Sequence, residues 1–128
     1  MSVVLDASAV LALLFDEPGA EKVRDRMQGG LLGSTNLAEV LTKLSDKGVP
    51  LSEAVRAVSM LGLEVMPFDE THARASSAMR LATRAAGLSL GDRACLALAL
   101  TQGIPALTAE RRWPEIAAEV GVLVEVIR

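Results

Sequence analysis

Short apolar runs alternate with segments of helical period from one end of the chain to the other, and this alternation limits the possible folds more than any other feature. Runs that read as strands occupy residues 3–6 (VVLD), 31–34 (LLGS), 63–68 (LEVMPF), 104–109 (IPALTA) and 122–127 (VLVEVI). Between them the apolar spacing becomes helical. Leu37, Val40, Leu41 and Leu44 fall at i, i+3, i+4 and i+7, and Leu51, Val55, Val58 and Leu61 form a comparable stripe. Gly29, Gly48, Gly62, Gly87, Gly103 and Gly121 stand near the expected helix ends, where a left-handed residue commonly stops a helix. Strands that alternate strictly with helices favour a mostly parallel sheet joined by right-handed crossovers, with helices on both faces. The expectation is a single α/β domain spanning residues 1–128. Sheets of this kind place ligand sites beyond the carboxyl ends of their strands, where strand order reverses.

Composition narrows the function. With 51% hydrophobic and 23% charged residues, the 128-residue chain has enough apolar surface for a core and lacks the signature of disorder. The one cysteine, Cys95, lies in the apolar run ACLALAL, so it is expected as a small core residue in a reducing cytoplasm. Neither a targeting leader nor a membrane span is expected, since no run approaches the roughly 18 apolar residues that a span needs. A net charge of −3 argues against a broad basic surface for nucleic acid, but leaves room for a local basic patch or a bound metal.

Four carboxylates fall where the site should be. Asp6, in VVLDASAV, ends the first strand. Glu39 lies in TNLAEVL, Asp92 in LSLGDRACLALAL, and Glu110 follows the fourth strand in ALTAERRW. Taken singly, each has an ordinary use: Asp6 can cap the next helix, Asn36 with Glu39 and Ser89 with Asp92 have capping-box spacing, and Glu110 suits a helix start. Periodicity alone leaves Glu39 in water, whereas the apolar neighbours of Asp92 draw it inward. Taken together, all four can reach the edge beside strands one and four if the sheet reverses there. Four acids in one cleft repel one another unless a cation joins them, and an all-oxygen set suits Mg²⁺ or Mn²⁺ better than zinc.

The segments VVLDASAVLALL, TNLAEVL, GLSLGDRACLALA and ALTAERRW, in that order over essentially the whole chain, resemble the PIN-domain ribonucleases, especially the compact VapC-type toxins of bacterial toxin–antitoxin pairs. The resemblance implies a five-stranded parallel sheet of order 3-2-1-4-5 and an acidic cluster that binds Mg²⁺ or Mn²⁺. It makes Asp6 the first metal carboxylate with Ser8 as its small polar companion, Glu39 the second acid and Asp92 the third. The fourth acid of the family is usually Asp; here it is Glu110, whose extra methylene favours contact through a water. The implied activity is metal-dependent endoribonuclease cleavage leaving 5′-phosphate and 3′-hydroxyl ends, and the implied partners are an RNA substrate, a cognate antitoxin protein and a second copy in a homodimer.

The remaining polar residues read more plainly. Arg93, beside Asp92, is a candidate phosphate contact, as are Arg111 and Arg112 near the cleft. His72 reads as a solvated side chain without a role, Trp113 as a packing residue, and residues 15–26 as a turn followed by a charged, solvated helix. Two other functions compete. A receiver-type phosphoryl-transfer domain would use Asp69 and Thr108, but the first strand ends in one Asp and the last has no terminal lysine. A PIN scaffold that binds without cutting draws support only from Glu110.

Overall fold

The computed structural model describes residues 2–128. Its elements are β1 (Val4–Leu5), α1 (Ala7–Leu14), α2 (Ala20–Arg26), β2 (Leu31–Gly33), α3 (Ser34–Asp46), α4 (Leu51–Ser59) and β3 (Glu64–Met66). The second half adds α5 (Glu70–Ala78), α6 (Arg80–Thr83), α7 (Leu90–Gln102), β4 (Ala106–Thr108), α8 (Trp113–Glu119) and β5 (Val124–Val126). The five strands form one sheet of order β3-β2-β1-β4-β5 in which every pairing is parallel. Each strand lies inside its expected run but is trimmed at the ends. Asp6 leaves β1 at the position just before α1, and Pro105 and Pro67 have no N–H to extend β4 or β3. This order also excludes the receiver reading, whose sheet runs 2-1-3-4-5.

Strand alternation divides the core into two layers. Val3 and Leu5 face one side with Leu32 and Leu107, where α1, α3 and α4 cover them through Val10, Val40, Leu44, Ala54 and Val58. Val4 and Ala106 face the other side, packed by Cys95, Leu96 and Ala99 of α7 and by Trp113 and Ala117 of α8. Cys95 is a buried free thiol, and Trp113 is a packing residue with 3% of its surface exposed. The expected stripe on α4 is only half realised: Val58 is buried, while Leu51 and Val55 are 66% and 45% exposed. All six expected helix-end glycines have positive φ.

His72 corrects the expectation of a solvated side chain. It is buried, with its ring 6.3 Å from that of Phe68, and forms a capping box with Asp69 at the start of α5. Asp69 Oδ1 accepts the His72 N–H at 3.0 Å, and His72 Nδ1 accepts the Asp69 N–H at 3.3 Å. The signal lay in the Asp-x-x-His spacing, which the sequence reading passed over. The charged α2 is tied down rather than simply solvated: Arg26 donates both Nε and an Nη to Glu125 on β5, at 2.7 and 2.6 Å. No helix among the described residues is long and apolar enough to cross a membrane.

The turn into α2 depends on Gly19, which has φ 97° and lies directly against Ile127. A Cβ there would stand 2.7 Å from the Ile127 carbonyl oxygen. Gly19→Ala therefore combines left-handed strain with a backbone clash and is expected to lower unfolding stability by about 2 kcal/mol or more. Urea denaturation at constant m-value checks this, and an unchanged midpoint contradicts it.

Candidate active site

Strand order reverses between β1 and β4, and the site lies at the carboxyl ends of those strands. Leu5 pairs with Leu107, so the next residues, Asp6 and Thr108, meet side by side. Asp6 is the N-cap residue of α1, yet its side chain makes no capping hydrogen bond, so the helix-cap explanation does not account for it. Only 4% of its surface is exposed. Oδ2 accepts the Ser8 hydroxyl at 2.6 Å and the Thr108 hydroxyl at 3.0 Å. Each hydroxyl in turn accepts a backbone N–H, Ser8 from Ala109 at 3.0 Å and Thr108 from Glu110 at 3.1 Å. Those two amides occupy hydroxyl lone pairs, which leaves both hydroxyl protons for Asp6.

Burial is the main cause that pushes the Asp6 carboxyl up to about 6, and the negative charges of Asp92 and Glu39 add to it against the Ser8 and Thr108 hydrogen bonds. Burial raises the Cys95 thiol, and the negative charges of Asp6, Asp92 and Glu39 add to it. Glu110 contributes to neither shift. It is exposed, and it shares with Asp92 a cavity of about 170 Å³ lined also by Leu88, Arg112 and Trp113. The structure therefore couples Asp6, Glu39 and Asp92, and sets Glu110 to one side, next to Asp92.

Glu39 and Asp92 are each fixed by one oxygen. Asp92 forms the expected capping box with Ser89, its Oδ2 accepting the Ser89 N–H at 2.9 Å. Asn36 does not cap α3, which starts at Ser34 behind Gly33 and places Asn36 inside the first turn. The buried Asn36 amide instead donates to Glu39 Oε1 at 2.8 Å and to the Gly91 carbonyl at 3.0 Å, joining α3 to the first turn of α7. Gly91 leaves room for this arrangement, because a Cβ there would stand 2.6 Å from the Glu39 carboxylate carbon. Thr108, Asn36 and Gly91 were missed as site residues. The register of β1 against β4 was the available signal for Thr108.

Arg93 turns toward α5. Its Nη1 donates to the Ser76 carbonyl of α5 at 3.1 Å and its Nε is buried, so the guanidinium is committed to helix packing. Arg112 lines the cavity beside Asp92, while Arg111 donates to the Arg128 carbonyl at 3.0 Å.

The PIN domain family model matches residues 3–119. The chain belongs to the PIN domain family. Among solved structures, VapBC2 from Rickettsia felis, bound to a DNA fragment from its promoter, superposes at TM-score 0.73 with 16% identity and covers 100% of both chains. VapBC-1 from nontypeable Haemophilus influenzae gives 0.73 at 16% identity over 98% of each chain. VapBC-5 from Mycobacterium tuberculosis, a member of the VapBC family of toxin–antitoxin systems, gives 0.62 at 22% identity over 99% of this chain and 98% of that one. No curated protein sequence matches. At these identities the structural neighbours carry the fold.

In this PIN domain the donor chemistry fits the divalent ion that the resemblance implies. Among the described residues, Asp6 Oδ1, Glu39 Oε2 and Asp92 Oδ1 accept no hydrogen bond, so each coupled acid keeps one oxygen free of donors. Among those residues no group of three or more His, Cys, Asp or Glu side chains is placed to hold a metal ion. Mg²⁺ does not require one, because it keeps several waters and takes only one or two carboxylates directly.

Two outcomes follow from this geometry. In the metal-free protein the folded state holds the Asp6 proton up to about pH 6, whereas the unfolded chain releases it near 3.8. Between those values the native state binds more protons, so this group's contribution to stability falls as pH rises through the window, by about 3 kcal/mol in all. Urea melts in EDTA across that range should show the parent losing stability relative to Asp6→Asn as pH rises, since groups common to both, such as Glu125, cancel; parallel curves contradict the assignment. Gly91→Ala, normally a gain of about 1 kcal/mol within a helix, is expected to give no gain in the parent but to stabilise a Glu39→Ala background. A double-mutant cycle with zero coupling would refute the Glu39–Gly91 contact.

Proposed function

We propose that the chain is a Mg²⁺- or Mn²⁺-dependent endoribonuclease and the toxin of a VapC-type toxin–antitoxin pair. The observation that carries the reading is the buried Asp6 carboxylate. It is coupled to Glu39 and Asp92, and its Oδ2 is held by two hydroxyls while its Oδ1 accepts no hydrogen bond among the described residues. Family membership supports nuclease chemistry, and the toxin–antitoxin system named for the Mycobacterium tuberculosis neighbour supports the biological role.

Asp6 and Asp92 would hold the ion, with Glu39 reaching it through water or orienting the nucleophile. When bound, the ion supplies neutralisation of phosphate charge and a more acidic water. The residues do the positioning. Ser8 and Thr108 fix the plane of Asp6 by two donated protons, and the Ser89 cap and the Asn36 amide fix the other two acids. A water directed by Glu39 attacks phosphorus in line, the bond from phosphorus to the 3′ oxygen breaks, and that oxygen leaves with a proton. Products are a 5′-phosphate and a 3′-hydroxyl. Glu110 would act at the outer edge, beside Asp92. The exposed apolar side chains of Leu51, Val55 and Val65 support a protein partner on the α4–β3 face, as an antitoxin or homodimer requires.

Purified protein free of antitoxin is expected to cut cellular RNA with Mg²⁺ or Mn²⁺ and to stop in EDTA. Asp6→Asn and Asp92→Asn should each lose roughly a hundredfold or more, and Glu110→Gln less. Sequencing the new 5′ ends maps the cuts. Cleavage that persists undiminished in EDTA overturns the metal mechanism, and RNA bound but never cut identifies a non-cutting scaffold. Expression in a bacterial host should arrest growth, and co-expression of the antitoxin should relieve the arrest.

A further inference from the structure

A groove of about 500 Å³ lies between α1 and the last turn of α3. Ser8 lines this groove and also donates to Asp6, so the groove and the carboxylate share one side chain. Leu11 and Phe15 give it an apolar floor, while Lys43, Lys47 and Arg128 line its rim. Arg128 is already paired with Glu17 at 3.3 Å and with the Pro18 carbonyl at 3.0 Å. Lys43 and Lys47 are exposed, and among the described residues neither ammonium group has an acidic partner. At i, i+4 their Cβ atoms stand about 5–6 Å apart, on the scale of the step between successive phosphates. The chain has only three Phe, Trp or Tyr residues. Trp113 is buried and Phe68 packs near His72, whereas Phe15 is 38% exposed.

We propose that this groove is the track for the single strand of RNA flanking the cut, with a base stacked on Phe15 and phosphates held by Lys43 and Lys47. The inference rests on the nuclease reading and deepens it. Unpaired cations beside an accessible aromatic ring are the combination that single strands use, since stacking tolerates any base and charge follows the backbone. The groove gives an acidic protein a local cationic approach to its own acidic cleft.

The test uses the full chain with Mg²⁺ or Mn²⁺ and a fluorogenic random-sequence single-stranded RNA of about 12 nucleotides. Lys43→Ala/Lys47→Ala is expected to raise KM about tenfold with kcat within about twofold, and to flatten the slope of log kcat/KM against log salt by roughly 1.4, two contacts at about 0.7 each. Lys43→Arg/Lys47→Arg should restore both. Phe15→Ala should raise KM about fivefold or more without changing the salt slope. Thermal melts verify that each variant is folded. If the lysine and Phe15 variants keep the parent KM and salt slope, the groove is not the track and the nuclease reading stands. The same kinetics together with loss of binding to an acidic peptide would assign the groove to a protein ligand and equally overturn the inference. A parent protein that neither binds nor cuts the RNA overturns the nuclease reading, and this inference with it.

Discussion

Burying the Asp6 carboxylate at the end of β1 takes a charge out of water, and the fold offsets only part of that cost. Two hydroxyls donate to Oδ2, but the two nearest acids push the other way and the balance leaves the group near pH 6. An isolated buried acid in this position would be replaced by an apolar residue with little consequence for packing, since Val4 and Leu5 before it and Ala9 and Val10 after it are all fully buried. The chain instead surrounds the charge with further acids. Such an arrangement is poorly stabilised as a bare fold and well suited to a bound cation.

The other two acids reach this point through helix packing. Asp92 is held by the cap that starts α7, and Glu39 by an asparagine buried between α3 and α7. Asn36 is fully buried, and its Oδ1 has no partner even as its amide joins the two helices. That unsatisfied oxygen lies beside a small cavity lined by Thr35, Phe68, His72 and Leu98. Gly91 completes the junction by having no side chain where the Glu39 carboxylate lies. The distance between Glu39 and Asp92 is thus set by backbone and amide contacts, which are stiffer than a surface side chain.

The architecture was legible because its signals are periodic. Five apolar runs, two helical stripes and six punctuating glycines each act locally, and a parallel sheet has few ways to join them. The closeness of Asp6 to Glu39 and Asp92 was legible for the same reason, because strand ends and helix starts converge where the order reverses, whereas Glu110 stands to one side. Details that depend on side-chain direction were not. Nothing local distinguishes an Asn36 that caps from one that bridges two helices, because its partner Gly91 is 55 residues away. Arg93 follows an acid in the sequence but turns to Ser76 on the neighbouring α5, and Thr108 becomes a donor to Asp6 only through strand register. His72 has a local signal, the capping spacing with Asp69, which competes with the general tendency of histidine to stay in water.

Net charge proved a weak guide to what this surface can meet. A total of −3 counts the carboxylates at the cleft as if they faced solvent alone, yet burial and the charges of Asp92 and Glu39 push the Asp6 carboxyl up to about 6. A divalent cation bound there would cancel two charges where a polyanion would approach. Lys43 and Lys47 contribute two more positive charges a short way along the groove, while much of the acidity elsewhere is paired or spread over surface helices, as with Glu125 against Arg26 and Glu70 against Arg74. The field a phosphate meets depends on charges within about a Debye length, roughly 8–10 Å at ordinary salt. A chain can therefore be acidic in sum and carry a cationic stretch of surface, here at Lys43 and Lys47.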